Sequence, residues 1–533
     1  MRILIADDLS PEAKTILERI PDAQVDVRVG LKPGELREIA GAYDALAVRS
    51  ATKVTAEFLA AATRLRVIGR AGTGVDNIDL DAATRRGVVV MNAPGGNSVS
   101  VAEHTVALLL ALARQVADAS QSTRAGKWEK KKFSAGREVL GKTLGVVGTG
   151  NIGALVVQRA KAFGMKVIAF DPFLSEEAAA KLGVELVSLA EIFRRSDAVT
   201  LHVPLNEQTK NMVAAPQLAQ MKPGALLINC ARGGLVDEMA LAEALESKRL
   251  GGAALDVFET EPPPAGHPLF SCENFIATPH LGGSTEDAQQ NVALIVCESM
   301  VEYLTTGTIR NAVNMPSVTG EVMERLGPYL RLATKLGAFA GQLATQAACG
   351  APEQIEIAYA GEVAQHPSAP LTAAVLKGVL GTFLAEPVNE VSAPALARDR
   401  GLSVQELKTS DTPDFASLIT VRLRCGKEVT TAVSGTIVGK REPRLVRVDK
   451  FELEAVPEGA ILVMHNNDKP GVIGNVGRTL GEAQVNIAQF ALARDRRSGE
   501  AIALVNVDTP APPEVLDRLR RLPNVRSVHQ VTL

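Results

Sequence analysis

Two kinds of residue in this chain have the types and spacing of a reaction centre. The first is a set of polar residues that each follow a short apolar run: Arg232 in Asn229-Cys230-Ala231-Arg232-Gly233-Gly234, Glu259 and Glu261 in Leu255-Asp256-Val257-Phe258-Glu259-Thr260-Glu261-Pro262, and His280 in Thr278-Pro279-His280-Leu281-Gly282-Gly283. An imidazole can exchange a proton with a substrate hydroxyl, a carboxylate beside it favours the charged ring, and a guanidinium fork binds both oxygens of a planar carboxylate. The second is Gly148-Thr149-Gly150-Asn151-Ile152-Gly153, between the apolar run Thr143 to Val147 and a helical pattern beginning near Ile152. Gly148 permits a tight strand-to-helix turn, Gly150 lets a pyrophosphate approach the backbone, and Gly153 allows close packing of helix on strand. The helix start adds free N–H donors at Asn151 and Ile152. The next apolar run, Met165 to Phe170, ends in Asp171, about 20 residues further on, where a carboxylate accepts from a ribose 2′-hydroxyl and repels a 2′-phosphate. The cofactor expected is therefore NAD rather than NADP.

These residues need a sheet to hold them. From residue 1 to about 98, short apolar runs (Ile3 to Ala6, Val25 to Val29, Ala45 to Val48, Val67 to Gly69, Val88 to Met91) alternate with helical patterns, as in an α/β domain with a mainly parallel sheet. After the glycine motif, runs at Ala198 to Val203, Ala225 to Cys230, Ala253 to Val257 and Phe275 to Thr278 predict a six-stranded doubly wound sheet. Ligands collect outside the carboxyl ends of such strands, so Arg232, a glutamate of the 255–262 segment and His280 are expected to converge over one nicotinamide ring. The segment Val99 to Gln115 is apolar on most sides and should be buried, in the core or between subunits. Glu286 to Thr305 reads as a helix that returns the chain to the first domain. Beyond Pro316 come alanine-rich helices (Arg331 to Ala348, Leu371 to Leu384) and strands (Ile355 to Ala360, Leu418 to Cys425, Thr430 to Gly439, Arg444 to Val448), an α+β unit. The last segment reads as βαββαβ, the split-βαβ order. The division expected is 1–98 plus 285–315, 99–284, 316–455 and 456–533.

A chain of 533 residues, 46% hydrophobic, has apolar mass for several cores. With 57 basic against 60 acidic residues, the net charge of −3 gives no sign of a nucleic-acid or membrane partner. Five scattered cysteines, Cys230, Cys272, Cys297, Cys349 and Cys425, without a CxxC pair, argue against a metal site and for free thiols in the cytoplasm.

In these motifs the chain resembles the D-2-hydroxyacid dehydrogenase family. The resemblance implies a catalytic triad of Arg232, Glu261 and His280: Arg232 grips the substrate carboxylate and polarises its carbonyl, His280 is the acid-base, and Glu261 orients the imidazole. It selects Glu261 over Glu259 because the family places its acid five residues after the aspartate of D-V-F, here Asp256. It also implies cofactor contacts from His202 and Pro204 beside the adenine-ribose, from Cys230 and Ala231 near the nicotinamide, and from Asp256 toward the carboxamide. For His202 a packing role at a strand end is an equal reading. Arg49-Ser50 and Arg70-Ala71-Gly72-Thr73-Gly74-Val75 resemble the substrate loops of the long family members that oxidise 3-phosphoglycerate. There Gly72, Gly74 and Val75 offer backbone N–H groups to a carboxylate, and Arg49 and Arg70 with Ser50 hold a phosphate.

Simple lactate or glyoxylate dehydrogenases of the family stop near the end of the second domain, whereas this chain runs on for about 200 residues. The tail resembles the ACT regulatory domain, with Asn466, Asp468 and Asn486 at positions used for L-serine across a domain pair. Asn466 departs from the family's histidine or tyrosine. The intervening segment resembles the family's allosteric substrate-binding insertion. The function so implied is NAD-dependent oxidation of D-3-phosphoglycerate under L-serine feedback, by a homodimer or homotetramer. The alternatives are a hydroxypyruvate or glyoxylate reductase and a nucleotide-sensing corepressor, and the full triad counts against the last.

Overall fold

The computed structural model describes residues 1–316, 320–346, 352–385, 387–412, 414–425, 428–439, 441–495 and 497–533. The first five apolar runs form β1 (Arg2–Ile5), β2 (Gln24–Val27), β3 (Ala45–Val48), β4 (Val67–Arg70) and β5 (Val89–Met91), an all-parallel sheet in the order β2-β1-β3-β4-β5. Apart from the edge strand β2 these are buried almost throughout, because helices cover both faces. One cover comes from far along the chain: the helix Glu286–Thr306 packs Val292, Val296 and Met300 against Ile3, Val67 and Met91. It is capped by Thr285, whose hydroxyl accepts from Ala288 N at 3.2 Å, and it lies so close to β4 that a Cβ on Gly69 would strike Met300 Sδ.

The second sheet comprises β6 (Thr143–Val147), β7 (Lys166–Phe170), β8 (Glu185–Leu186), β9 (Ala198–Leu201), β10 (Leu226–Asn229), β11 (Gly252–Leu255) and β12 (Phe275–Ala277), in the order β12-β11-β10-β9-β6-β7-β8. It has seven strands, not the expected six. The extra one, β8, is two residues long, too short for any periodicity to register. The apolar helix, Ser98–Ala113, buries Val101, Leu108, Leu109 and Leu112 against this sheet and the helix Asn151–Ala162.

The third sheet, in the order β14-β13-β15-β16-β17-β18, contains β13 (Gln354–Gly361), β14 (Ser403–Thr409), β15 (Ser417–Cys425), β16 (Glu428–Val438), β17 (Glu442–Val448) and β18 (Phe451–Ala455). Strands β14 and β18 and the short helix Ala393–Asp399 were not anticipated. β14 is an edge strand with most side chains in water, so its sequence carries no alternation of apolar and polar residues. The helix expected from Arg331 starts at Gly320 and is described to Gln346; Ala347 and Ala348 lie outside the described residues. Asn389 ties this unit to the first, donating from Nδ2 to Gly87 O at 2.7 Å.

The last sheet joins β19 (Ala460–Asn467), β20 (Ile487–Asp495), β21 (Glu500–Val507) and β22 (Val525–Thr532), antiparallel, in the order β20-β21-β19-β22. This is the split-βαβ arrangement expected. Cys230, Cys272 and Cys297 are free thiols, but Cys425 is disulfide-bonded, against the expectation of five free cysteines, whose scatter in sequence hides proximity in space; Cys349 lies outside the described residues. Among the described residues no single helix is long and apolar enough to cross a membrane.

Candidate active site

The nucleotide cradle is built at the switch point of the second sheet, where β6 has β7 on one side and β9 on the other. Gly148 follows β6 with φ 88°, and a Cβ there would sit 2.5 Å from His202 O at the end of β9. A Cβ on Gly153 would strike Gly148 O, so the helix Asn151–Ala162 can start only against a glycine. Around Gly150, by contrast, space is open, and this N-cap residue provides no side-chain cap, which leaves the first N–H groups at Asn151 and Ile152 for an anion.

Asp171 accepts from Thr149 N and Thr149 Oγ1, both at 2.8 Å, and from Phe173 N at 2.9 Å. Burial works to raise its pKa, but those donors outweigh it and hold the carboxyl below the usual range, so a fixed anion stands at the end of β7. The donor set and the open glycine fit a dinucleotide with a free ribose hydroxyl. Pro204 O accepts from Thr209 Oγ1 at 2.7 Å, and burial pushes the Cys230 thiol up to about 12.

His202 is half-buried, with Nε2 3.0 Å from Thr200 Oγ1 and Nδ1 buried without a hydrogen-bond partner among the described residues. Burial pushes its pKa down from 6.5 to about 4, so the ring is neutral at pH 7. In this pH range the unfolded chain takes up the proton more readily than the folded one. The stabilising difference is therefore complete above about pH 6.5 and lost as the pH falls through 4, a swing of about 3 kcal/mol. Urea unfolding of His202→Gln at pH 7 and at pH 4.5 should show a smaller loss on acidification than the parent shows.

The catalytic candidates sit at the carboxyl ends of three neighbouring strands, β10, β11 and β12, with Asn229 beside Leu255 and Leu255 beside Ala277. Buried Asn229 shapes the Arg232 turn, its Oδ1 accepting from Ala231 N at 3.0 Å and its Nδ2 donating to Arg232 O at 2.8 Å. Arg232 donates Nε to Asp76 Oδ2 at 3.0 Å, which joins the two units, and Nη1 to Ala231 O at 2.7 Å. Of the two glutamates it is Glu261 whose Oε2 lies 2.8 Å from His280 Nδ1; its Oε1 accepts from Phe258 N at 3.1 Å. His280 is half exposed and holds a left-handed φ of 54°, a conformation that costs a non-glycine residue about 1–3 kcal/mol.

Asp256 maintains that backbone. Only 1% exposed, it accepts from Thr278 Oγ1 (2.5 Å) and Leu281 N (2.8 Å) on Oδ1 and from Gly282 N (2.8 Å) on Oδ2, while its own O accepts from His280 N at 2.9 Å. His104, from the helix Ser98–Ala113, approaches Oδ1 to 3.3 Å and Thr278 Oγ1 to 3.1 Å. Burial would raise the Asp256 pKa, but these partners keep it low. Its carboxylate is thus committed to the loop that carries His280.

In the first unit, Asp7 fixes the Arg49 loop, with Oδ2 accepting from Arg49 N at 2.6 Å and Oδ1 from Thr52 Oγ1 at 2.6 Å. Arg49 Nη2 reaches Ser284 Oγ at 3.5 Å, while Ser50 faces solvent. The glycine turn closes on Arg232: a Cβ on Gly74 would strike Arg232 Nη2, and one on Gly72 would strike Arg70 Nη1. Val75 is half-buried against the first sheet. Burial, then the charge of Arg232, pushes Arg70 down to about 10, and Asp76 works the other way. Arg70 and Arg232 therefore form a cationic cluster with Arg49 nearby.

The three tail residues are not together. Asn466, buried on β19, donates Nδ2 to Asn467 O at 2.8 Å; Asp468 lies 3.6 Å from Arg494; Asn486 donates to Asp508 Oδ2 at 2.7 Å. In the ladder Asn467 pairs with Glu500, whereas Ile487 and Ala460 both pair with Val507. Asn486 thus stands at the opposite end of the sheet from Asn466 and Asp468, about 20 Å away at about 3.3 Å per residue.

Sequence reasoning passed over Asp7, Asp76 and His104. The first two face partners 42 and 156 residues away, which no local pattern shows. His104 had a signal in being the one imidazole of a mostly apolar helix.

A Rossmann glycine turn with a fixed anion at the end of β7, next to an arginine and a carboxylate-paired histidine, is the arrangement of a nicotinamide-dependent dehydrogenase. Residues 106–282 match the NAD binding domain of D-isomer specific 2-hydroxyacid dehydrogenases, residues 325–449 the D-3-phosphoglycerate dehydrogenase intervening domain, and residues 460–524 the ACT domain. The D-3-phosphoglycerate dehydrogenase of Methanocaldococcus jannaschii is 42% identical, with 100% of both chains covered, and that of Synechocystis sp. is 42% identical over 100% of this chain and 95% of its own. Among solved structures, the NAD-dependent formate dehydrogenase of Staphylococcus aureus in complex with NAD is 28% identical, with a TM-score of 0.53 over 60% of this chain and 100% of that one. The chain belongs to the D-3-phosphoglycerate dehydrogenase family.

Proposed function

We propose that the chain oxidises D-3-phosphoglycerate to 3-phosphohydroxypyruvate, the entry into the phosphorylated route to L-serine, with Arg232, Glu261 and His280 as its catalytic residues. The observation that carries this is the 2.8 Å contact of Glu261 with His280, at strand ends that neighbour the one bearing Arg232, which in turn stands close enough to Arg70 to act on its charge. NAD, when bound through the glycine turn and Asp171, supplies the hydride acceptor. Arg232 binds the substrate carboxylate through the guanidinium edge that Asp76 and Ala231 leave free. His280 takes the hydroxyl proton on Nε2 as the C–H bond gives up its electron pair, and Glu261 at Nδ1 stabilises the imidazolium that forms. Arg49 and Arg70 receive the phosphate.

Asp171→Ser is expected to weaken NADH binding about 10- to 100-fold, as a hydrogen bond to a charged group is worth about 1.5–3 kcal/mol, and to narrow the preference over NADPH. A fluorescence titration reads both affinities, and unchanged values would remove Asp171 from the ribose site.

The reading extends to L-serine as effector at Asn466, Asp468 and Asn486. Since one chain holds these at opposite ends of its sheet, a site using all three joins two copies, which supports a homodimer or homotetramer. Residues 1–98 with 285–315, 99–284, 316–455 and 456–533 are proposed as the four domains, and the cytoplasm as the setting; the free thiols Cys230, Cys272 and Cys297 favour it and the disulfide at Cys425 counts against it. NADH oxidation with 3-phosphohydroxypyruvate, hydroxypyruvate and glyoxylate, each with and without L-serine, tests the whole. A preference for the phosphorylated acid supports the assignment; no preference favours a general 2-oxo-acid reductase; insensitivity to serine removes the effector alone.

A further inference from the structure

Behind Glu261 and His280 lies a second histidine–carboxylate pair. Glu238 opens the helix Glu238–Glu246, which Asp237 caps by accepting from Met239 N and Ala240 N. A carboxylate in a first helical turn ordinarily faces water and the helix dipole. Glu238 instead turns into the protein: Oε1 accepts from Glu259 N at 2.7 Å, and Oε2 lies 2.8 Å from His267 Nε2, with side chains only 12% and 10% exposed for Glu238 and His267. His267 packs against Phe258 (ring centroids 5.9 Å apart) and Phe270 (5.5 Å), and its Nδ1 is buried with no hydrogen-bond partner among the described residues. A carboxylate oxygen can only accept, so Nε2 carries a proton and donates to Glu238. One carboxylate thus clamps both ends of the segment 259–267, and Glu261 lies inside that span.

The start of the segment has no slack either. A Cβ on Gly233, next to Arg232, would strike Phe258 O and come within 2.7 Å of Glu259 N, so the 258–259 backbone lies directly against the Arg232 turn. Phe258 N in turn holds Glu261 Oε1, which leaves Oε2 for His280. A shift of Glu259 would carry Phe258 N with it and rotate the Glu261 carboxylate away from the imidazole.

We infer that Glu238 is a positioning residue for the oxidation: by holding Glu259 N–H and His267 it sets the 258–267 loop so that Glu261 presents one carboxylate oxygen to His280. This rests on the reading of Glu261 and His280 as the catalytic pair. The test is a double-mutant cycle on the full-length protein, comparing the parent, Glu238→Ala, Glu261→Gln and the double variant by the pH profile of kcat/KM in the oxidation direction. Glu261→Gln should lower kcat and move the acid limb to lower pH, because an imidazole without its carboxylate holds its proton less tightly. Glu238→Ala should move the same limb the same way and lower kcat about 10- to 100-fold, with the KM for NAD unchanged. The double variant should be no worse than Glu261→Gln alone, since the clamp then has nothing to aim. If Glu238→Ala does not fold, Glu238→Gln, which keeps an acceptor for Glu259 N–H, should give the same shift to a smaller degree. Effects that multiply in the double variant, or an acid limb that stays in place in the Glu238 variants, overturn the inference and leave the catalytic pair intact. A fully active Glu261→Gln overturns the pair itself.

Discussion

His280→Asn should lower kcat by about 10²- to 10⁴-fold, the usual contribution of a positioned acid-base, while leaving NADH affinity unchanged. The choice of asparagine matters. His280 has φ 54°, and its N–H is tied to Asp256 O at 2.9 Å, so a substituent must tolerate the left-handed region. Asparagine does so more readily than other non-glycine residues and can still bond Glu261, which keeps the loop in place and removes only the titrating ring. Steady-state turnover of 3-phosphoglycerate together with a fluorescence titration of NADH separates the two quantities. Turnover within a few-fold of the parent would put the proton transfer elsewhere.

Arg232→Lys is the second large effect expected, although charge is conserved. The guanidinium gives Nε to Asp76 Oδ2 at 3.0 Å and Nη1 to Ala231 O at 2.7 Å, and the remaining edge is the one proposed for the substrate. An ammonium is a point donor and cannot keep this geometry. It would fall back on Asp76, itself exposed and anionic. Losing one charge-assisted bond to the substrate carboxylate costs about 1.5–3 kcal/mol, or about 10- to 100-fold in kcat/KM for 3-phosphoglycerate, with NADH binding unaltered. An undiminished kcat/KM in the lysine variant would show that Arg232 contributes charge alone.

What the sequence made legible was whatever is encoded locally. The glycine turn, Asp171 and the strand ends bearing Arg232 and His280 all lie within a few residues of the elements that position them, and each appears where the pattern puts it. Choosing Glu261 over Glu259 needed the family resemblance, because residues two apart in a loop carry no periodicity; in space the two differ completely, one on His280 and the other tied by its backbone to Glu238. The supports were hidden for a different reason. Asp7 and Glu238 meet their partners only once their own units have folded, and Asp76 only once the two units are together, while β8 and β14 lack the length or the burial that leaves a trace in composition. The separation of Asn486 from Asn466 follows from strand register, which no single segment specifies.

The helix Glu286–Thr306 has a consequence for how the protein is made. Ile3, Val67 and Met91 share one core with Val292, Val296 and Met300, so the first sheet lacks one of its covers until roughly 300 residues have left the ribosome. The glycine-motif sheet, whose strands all fall between Thr143 and Ala277, meets no such delay. On a nascent chain the cofactor cradle is therefore complete before the first sheet, which precedes it in sequence. A chain interrupted before residue 286 would hold a folded nucleotide site beside an uncovered apolar face, a species for chaperones and proteases rather than a half-enzyme.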